Sequence, residues 1–229
     1  MTALHRSYLF APGNHARRVE KALGLDADAV ILDLEDAVAV AEKAATRPLV
    51  GAALARPRSG RLYVRVNAMT TPFCLADILA VVHEGLDGLV LPKADSPEDV
   101  RAIDWLLSQL EGERSLPAGG IDLIPIIETA KGLANVRATA AASPRVRRLA
   151  FGAGDFLLDM GLSPTREEGE IAPARAEVVL ASRAAGLEPP LDTVWFDLKD
   201  PDGCRLAAMR AKAAGFQGKM CIHPDHLTV

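Results

Sequence analysis

Eight short apolar runs recur along the chain, and helical periodicity fills each of the seven gaps between them. The runs cover residues 8–11, 28–34, 62–66, 88–91, 124–127, 149–151, 194–198 and 219–222. Runs this short and this apolar read as parallel strands buried on both faces. The gaps hold apolar residues at helical spacing around Val19, Ala22 and Leu23, then over 42–54, 73–84, 97–110, 132–142, 174–185 and 202–214. Strict alternation of strand and helix demands a parallel sheet with crossover helices, and eight units are the number that closes a (β/α)8 barrel. The predicted class is therefore α/β, with residues 1–229 as one domain. The run to Val229 stops where an eighth helix belongs, so that helix and a further C-terminal segment are expected to be absent.

Local signals punctuate the pattern. Asn14 is placed to cap the first helix, and Ser96-Pro97 reads as an N-cap followed by proline in the first turn. Gly215 is placed to end the helix over 202–214. A net charge of -4 gives no broad basic surface for nucleic acid. No apolar run approaches the ~20 residues of a membrane span, and no secretory leader is visible, so a cytoplasmic protein is expected. Three cysteines, Cys74, Cys204 and Cys221, lack metal-ligand spacing and are expected to be reduced.

In such a barrel the chemistry sits at the carboxyl ends of the strands. Polar residues gather there: Asp33, Glu35, Asp36, Arg65, Asn67, Lys93, Glu128, Asp155, Asp197, Asp200 and His223. Glu128 and Asp155 end two successive apolar runs at equivalent positions, so they are the expected ligands of one hard cation. Two carboxylates suit Mg²⁺, with Mn²⁺ nearly as good; the competing reading is that each caps the helix that follows. Asp33, Glu35 and Asp36 either orient water around that cation or pair with neighbouring cationic side chains. Arg65, among apolar neighbours, binds either a substrate carboxylate or Glu35 or Asp36. Arg6 could act similarly. Gly152-Ala153-Gly154 lacks the third glycine of a dinucleotide loop.

Together the segments Arg6–Gly13, Val30–Val38, Val64–Asn67, Leu91–Lys93, Pro125–Thr129, Phe151–Asp155 and Gly218–Pro224 resemble the citrate lyase beta-subunit-like group of the HpcH/HpaI aldolase superfamily. The resemblance implies a TIM barrel and a Mg²⁺-dependent carbon–carbon lyase acting on a citryl, malyl or citramalyl thioester. It implies metal binding by Glu128 and Asp155 and substrate binding by Arg65; the residues themselves add Glu128 as a second candidate substrate contact, with Asp33, Glu35 and Asp36 around the cation. The expected partners are a small oxo acid and an acyl-CoA or acyl-carrier thioester. Superfamily aldolases that work without CoA carry a histidine where this chain has Asp36, which favours the thioester lyase over such an aldolase. A ligand-binding subunit of low activity is the remaining alternative. No general base is assigned. A barrel without its eighth helix is expected to expose apolar surface around Tyr8 and Met220, and hence to form a homo-oligomer, a trimer in many relatives.

Overall fold

A computed structural model describes residues 5–229. Eight parallel strands close a barrel in sequence order: β1 (Ser7–Pro12), β2 (Ala29–Asp33), β3 (Arg61–Arg65), β4 (Gly88–Leu91), β5 (Asp122–Ile127), β6 (Ala150–Phe151), β7 (Leu191–Asp192) and β8 (Gly218–Cys221). β1 pairs with both β2 and β8. The helices are α1 (Ala16–Leu23), α2 (Lys43–Ala53), α3 (Cys74–Val81), α4 (Pro97–Glu113), α5 (Ala130–Ala134), α6 (Val136–Ala140), α7 (Ala153–Met160), α8 (Ala172–Ala184) and α9 (Pro201–Ala214). Among the described residues no helix is long and apolar enough to cross a membrane.

Period-two alternation builds two cores. Tyr8, Ile31, Tyr63, Val90, Ile124 and Met220 point inward and fill the barrel. Leu9, Val30, Leu32, Leu62, Val64 and Leu89 point outward and pack beneath the helices. Because β2 and β3 align Asp33 with Arg65, the last residues of both strands stand side by side at the carboxyl rim. At the opposite end, Arg148 donates to the hydroxyls of Tyr8 and Tyr63 (2.9 and 3.2 Å) and to Asp122 Oδ2 (3.2 Å), which seals the floor with paired polar groups. All three cysteines are free and buried.

The local signals hold in part. Ser96 accepts from the Asp99 amide in a full capping box, and Gly215 ends α9 at φ 104°, a conformation that favours glycine. Asn14 does not cap α1; His15 stands there, and Asn14 Nδ2 donates to Glu42 Oε2 at 2.7 Å. The helix expected over 132–142 is broken at Asn135 into α5 and α6.

Two expectations are overturned. The seventh strand is Leu191–Asp192, not residues 194–198. Asp192 is the pairing partner of Lys219 on β8 and is locked by Arg175 and Lys219, so the ladder is satisfied before the apolar run begins. That run becomes a loop: Trp195 packs on Cys204 and Ala207, while Phe196 and Leu198 stay exposed. The apolar patch expected around Tyr8 and Met220 does not exist, since both fill the barrel interior at 0% and 3% exposure. After β8 the chain makes a 3-10 turn, Pro224–Thr228, whose Leu227 packs against the outer core.

Candidate active site

Glu128 follows β5 directly, and Asp155 lies in the first turn of α7. Neither caps a helix. Thr129 caps α5 by accepting from the Gly132 amide, and the cap of α7 is Gly152, with no side-chain bond. The capping alternative therefore fails for both acids, and their carboxylates remain available to the cleft they line. Gly152 makes room for Glu128: a Cβ there would run into Glu128 Oε2.

Arg65 is the hub of the acids after β2. Its Nε and Nη2 donate to Asp33 Oδ1 and Oδ2 at 2.8 and 2.6 Å, a bidentate pair. Its Nη1 lies 3.1 Å from Glu35 Oε2 and 3.5 Å from Asp36 Oδ2, and its guanidinium stacks 4.8 Å from the Phe10 ring centroid. The pairing reading of Arg65 thus holds, with Asp33 as the main partner, while Arg65 also lines the cleft. Asp33 is saturated, because the amides of Glu35 and Ala37 donate to it as well. Burial works against its charge, but Arg65 and these amides hold its carboxyl below the usual range.

Lys93 joins the two halves of the cluster. Its Nζ donates to Glu35 Oε1 at 2.7 Å and lies 2.7 Å from Asp155 Oδ2 and 4.0 Å from Glu128 Oε1. Its own amide donates to Glu128 Oε1 at 2.8 Å, from a left-handed backbone at φ 48°. Burial, then the Glu35 carboxylate, pushes Glu128 up to about 8 against the pull of Lys93 and Arg65. Burial raises Glu35 too, which Arg65 and Lys93 only partly offset. Glu35 Oε2 and Asp155 Oδ2 are buried oxygens with a cationic neighbour but no hydrogen bond.

This is an acid-rich site short of positive charge. Hard oxygen donors, a carboxyl pushed upward and two oxygens without hydrogen bonds fit a divalent hard cation. Among the described residues no three His, Cys, Asp or Glu side chains form a ready metal cage. A cation here would rest on two carboxylates and complete its shell with other oxygens.

Several predicted residues lie elsewhere. Arg6 precedes β1, so it stands at the opposite end of the barrel, where its amide donates to Asp28. Asn67 is buried and bound to Leu34 O and Asp77. Asp200 caps α9 and pairs with Arg166, and Asp197 accepts from the Lys199 amide. His223 reaches the cleft wall, though its Nδ1 accepts from the Asp225 amide. Phe10, Thr193, Arg18 and Lys21 line the cleft without having been singled out. Only Phe10 carried a signal: two residues after inward-facing Tyr8, it shares its face.

Comparison with known proteins shows the family of the chain. The family described as HpcH/HpaI aldolase/citrate lyase matches residues 6–224. Citrate lyase subunit beta of Haemophilus influenzae is 34% identical over 226 residues, 98% of this chain and 77% of that protein. L-malyl-CoA/beta-methylmalyl-CoA lyase of Rhodobacter capsulatus is 33% identical over 248 residues, 99% of this chain and 77% of that protein. The crystal structure of CitE from Mycobacterium tuberculosis, in complex with magnesium, acetoacetate and coenzyme A, superposes with a TM-score of 0.82 at 32% identity, covering 100% of this chain and 80% of that one. A barrel whose acids gather at the carboxyl rim, matched over nearly its whole length, belongs to the HpcH/HpaI aldolase/citrate lyase family.

Proposed function

We propose that this protein is a Mg²⁺-dependent carbon–carbon lyase that splits a β-hydroxyacyl thioester into an oxo acid and an acyl thioester. The observation that carries the reading is the juxtaposition of Glu128, Asp155 and Arg65 in a single cleft of about 680 Å³. An oxo acid alone would occupy a small part of that space. The cleft also runs past Leu9 and Ala22 to Arg18 and Lys21 on α1, a basic edge suited to the phosphates of a thioester tail. Relatives named for citrate and malyl-CoA cleavage, and a neighbour holding magnesium and coenzyme A, support the same reading.

Glu128 and Asp155 would hold the ion, with Mn²⁺ an acceptable substitute for Mg²⁺. When bound, the ion supplies positive charge beside the oxygen on which negative charge builds as the carbon–carbon bond breaks. Arg65 and Glu128 face the carboxylate end of the substrate. Asp33 fixes the Arg65 guanidinium from behind, and Phe10 supports it from below, so Arg65 meets its ligand already oriented. Ile126, Val194 and Met220 give the cleft an apolar wall that displaces water from the reacting carbons.

The test is thermal unfolding of chelated protein with Mg²⁺, then with Mg²⁺ plus oxaloacetate, glyoxylate or pyruvate, each with and without acetyl-CoA. Ligands that bind only the folded state raise its melting temperature. The expected result is a Mg²⁺-dependent oxo-acid shift, enlarged by acetyl-CoA and lost in Glu128→Ala, with malyl-CoA or citramalyl-CoA turned over on the order of once per second or faster. A shift indifferent to acetyl-CoA would favour a CoA-independent aldolase. Binding of both halves without turnover would favour a low-activity ligand-binding subunit. No shift with any combination would sink the lyase reading.

A further inference from the structure

Lys93 performs two tasks that the mechanism above leaves unused, and they are separable. The backbone task belongs to the turn after β4. Lys93 holds a left-handed conformation at φ 48°, which is uncommon outside glycine. That conformation aims its amide at Glu128 Oε1, 2.8 Å away. The next residue is tied down as well, since the Ala94 amide donates to Ile126 O at 3.2 Å. The side-chain task is electrostatic. The ammonium is wedged between Glu35 Oε1 and Asp155 Oδ2, 2.7 Å from each, with Glu128 Oε1 at 4.0 Å.

Every charged group facing that ammonium from β2, β5 and α7 is an acid. Arg65, on β3, gives two nitrogens to Asp33 and places its third 3.1 Å from Glu35 Oε2, with no ion pair to Asp155 among the described residues. Lys93 is therefore the cation paired with Asp155, and it shares Glu35 and Glu128 with Arg65. A lysine ammonium is a compact point charge on a flexible stem, so it can leave one carboxylate while keeping another. Asp155 carries both this ion pair and, in the reading above, one bond to the divalent ion.

We propose that Lys93 is a built-in competitor of the divalent ion. Its ammonium occupies Asp155, must yield it for the metal to be taken up, and retreats to Glu35 when it does. Lys93 is thus a positioning residue that sets metal affinity: its charge weakens uptake, and its backbone holds Glu128 ready. This inference rests on Glu128 and Asp155 being the metal ligands. It makes a prediction opposite to that of a structural role, because deleting the lysine charge should strengthen metal binding rather than damage it.

The experiment measures Mn²⁺ affinity by electron paramagnetic resonance of the free ion, on chelator-stripped wild type, Lys93→Met, Lys93→Gln and Lys93→Arg. Met and Gln keep the unbranched stem and the backbone but remove the charge, and Arg keeps the charge. The expected result is Mn²⁺ binding at least about tenfold tighter in both neutral variants, with Lys93→Arg within about threefold of wild type. Without metal the neutral variants should melt below wild type, since Asp155 loses its counter-charge and Glu35 and Glu128 keep only Arg65. Mn²⁺ should more than restore them and shift wild type less. Folding of a neutral variant only when Mn²⁺ is present would support the proposal in the same sense. Equal or weaker binding in folded neutral variants, with wild type binding normally, overturns the proposal and leaves the metal site standing. Absence of binding in wild type and neutral variants alike removes the metal reading and this proposal together. A neutral variant that folds neither with nor without Mn²⁺ makes Lys93 structural and overturns it too.

Discussion

Glu128 can sit where it does because the residue that follows the neighbouring strand β6 is a glycine. The Cβ of Gly152→Ala would collide with Glu128 Oε2, Glu128 Cβ and Ile126 Cγ2. The backbone φ of Gly152 is -106°, so alanine adds no dihedral strain and the cost is steric alone. Overpacking of this kind typically costs ~1–3 kcal/mol. The alanine variant is expected to fold, to unfold a few degrees lower, and to lose most of its Mg²⁺-dependent oxo-acid shift as the carboxylate is pushed aside. Unchanged ligand response in folded Gly152→Ala would show that the position of Glu128 does not matter. At this scale the sequence was informative about carboxylates and poor about cations. Glu128 stands out because a charge that ends a buried apolar run needs a reason, and Asp155 because it is the first charge after the next such run, although it lies in the first turn of α7. Arg65 showed the same need without revealing that Asp33, its register partner, would saturate two of its nitrogens. The role of Lys93 depends on a backbone φ that no residue pattern announces.

Among the elements, legibility followed burial period and capping chemistry. Ser96, Pro97 and Asp99 are a local code, and α4 begins where that code places it. Ser96→Ala removes the acceptor for the Asp99 amide at 3.2 Å and breaks the reciprocal box. The expected loss is about 1 kcal/mol in chemical denaturation, with ligand responses unchanged, because the cap lies outside the metal cluster. A loss below a few tenths would mean that Pro97 and the acidic first turn suffice without the hydroxyl. Where tertiary demand outweighed local pattern, the reading failed. Val194-Trp195-Phe196 has strong strand propensity, yet the short strand before it already meets β8, and Val194 is needed on the cleft wall. Asn14 is a good cap by type, but Glu42 takes its amide from across the barrel rim. Alternation of strands and helices was readable because it depends on hydrophobic period alone. Which residues of a βα loop line the site was not, because that depends on distant partners.

For the molecule as a whole, stability under acid should depend on ion pairs between helices and strands as much as on the site. Arg145, after α6, joins α4 to the start of β5: it donates to both oxygens of Glu111 at 2.6 Å, to Asp104 and to Ile121 O. Glu111 is buried at 2% exposure and also accepts from the amides of Gly119 and Ile121 at 2.9 and 3.1 Å. Burial works to raise its carboxyl, but Arg145 and the two amides outweigh burial and hold it below the usual range. A carboxyl depressed in the folded state binds fewer protons there than in the unfolded chain at mildly acid pH. Its contribution is therefore fully present above the ordinary glutamate value near 4.5 and fades as pH falls through the lower folded value. Removing one partner of a buried pair strands the other, at a cost of roughly 3–5 kcal/mol. Asp104 still neutralises part of Arg145, so Glu111→Gln should fall at the low end, near 3 kcal/mol at pH 7. The gap between wild type and Glu111→Gln should hold from pH 7 to 5 and close progressively below about 4.5. Other carboxylates titrate in both proteins and cancel in the difference. Urea unfolding at pH 7, 5, 4 and 3 measures it. A gap that stays constant to pH 3 would mean that Glu111 contributes packing rather than charge, and that Arg145 clasps α4 to β5 without needing the carboxylate.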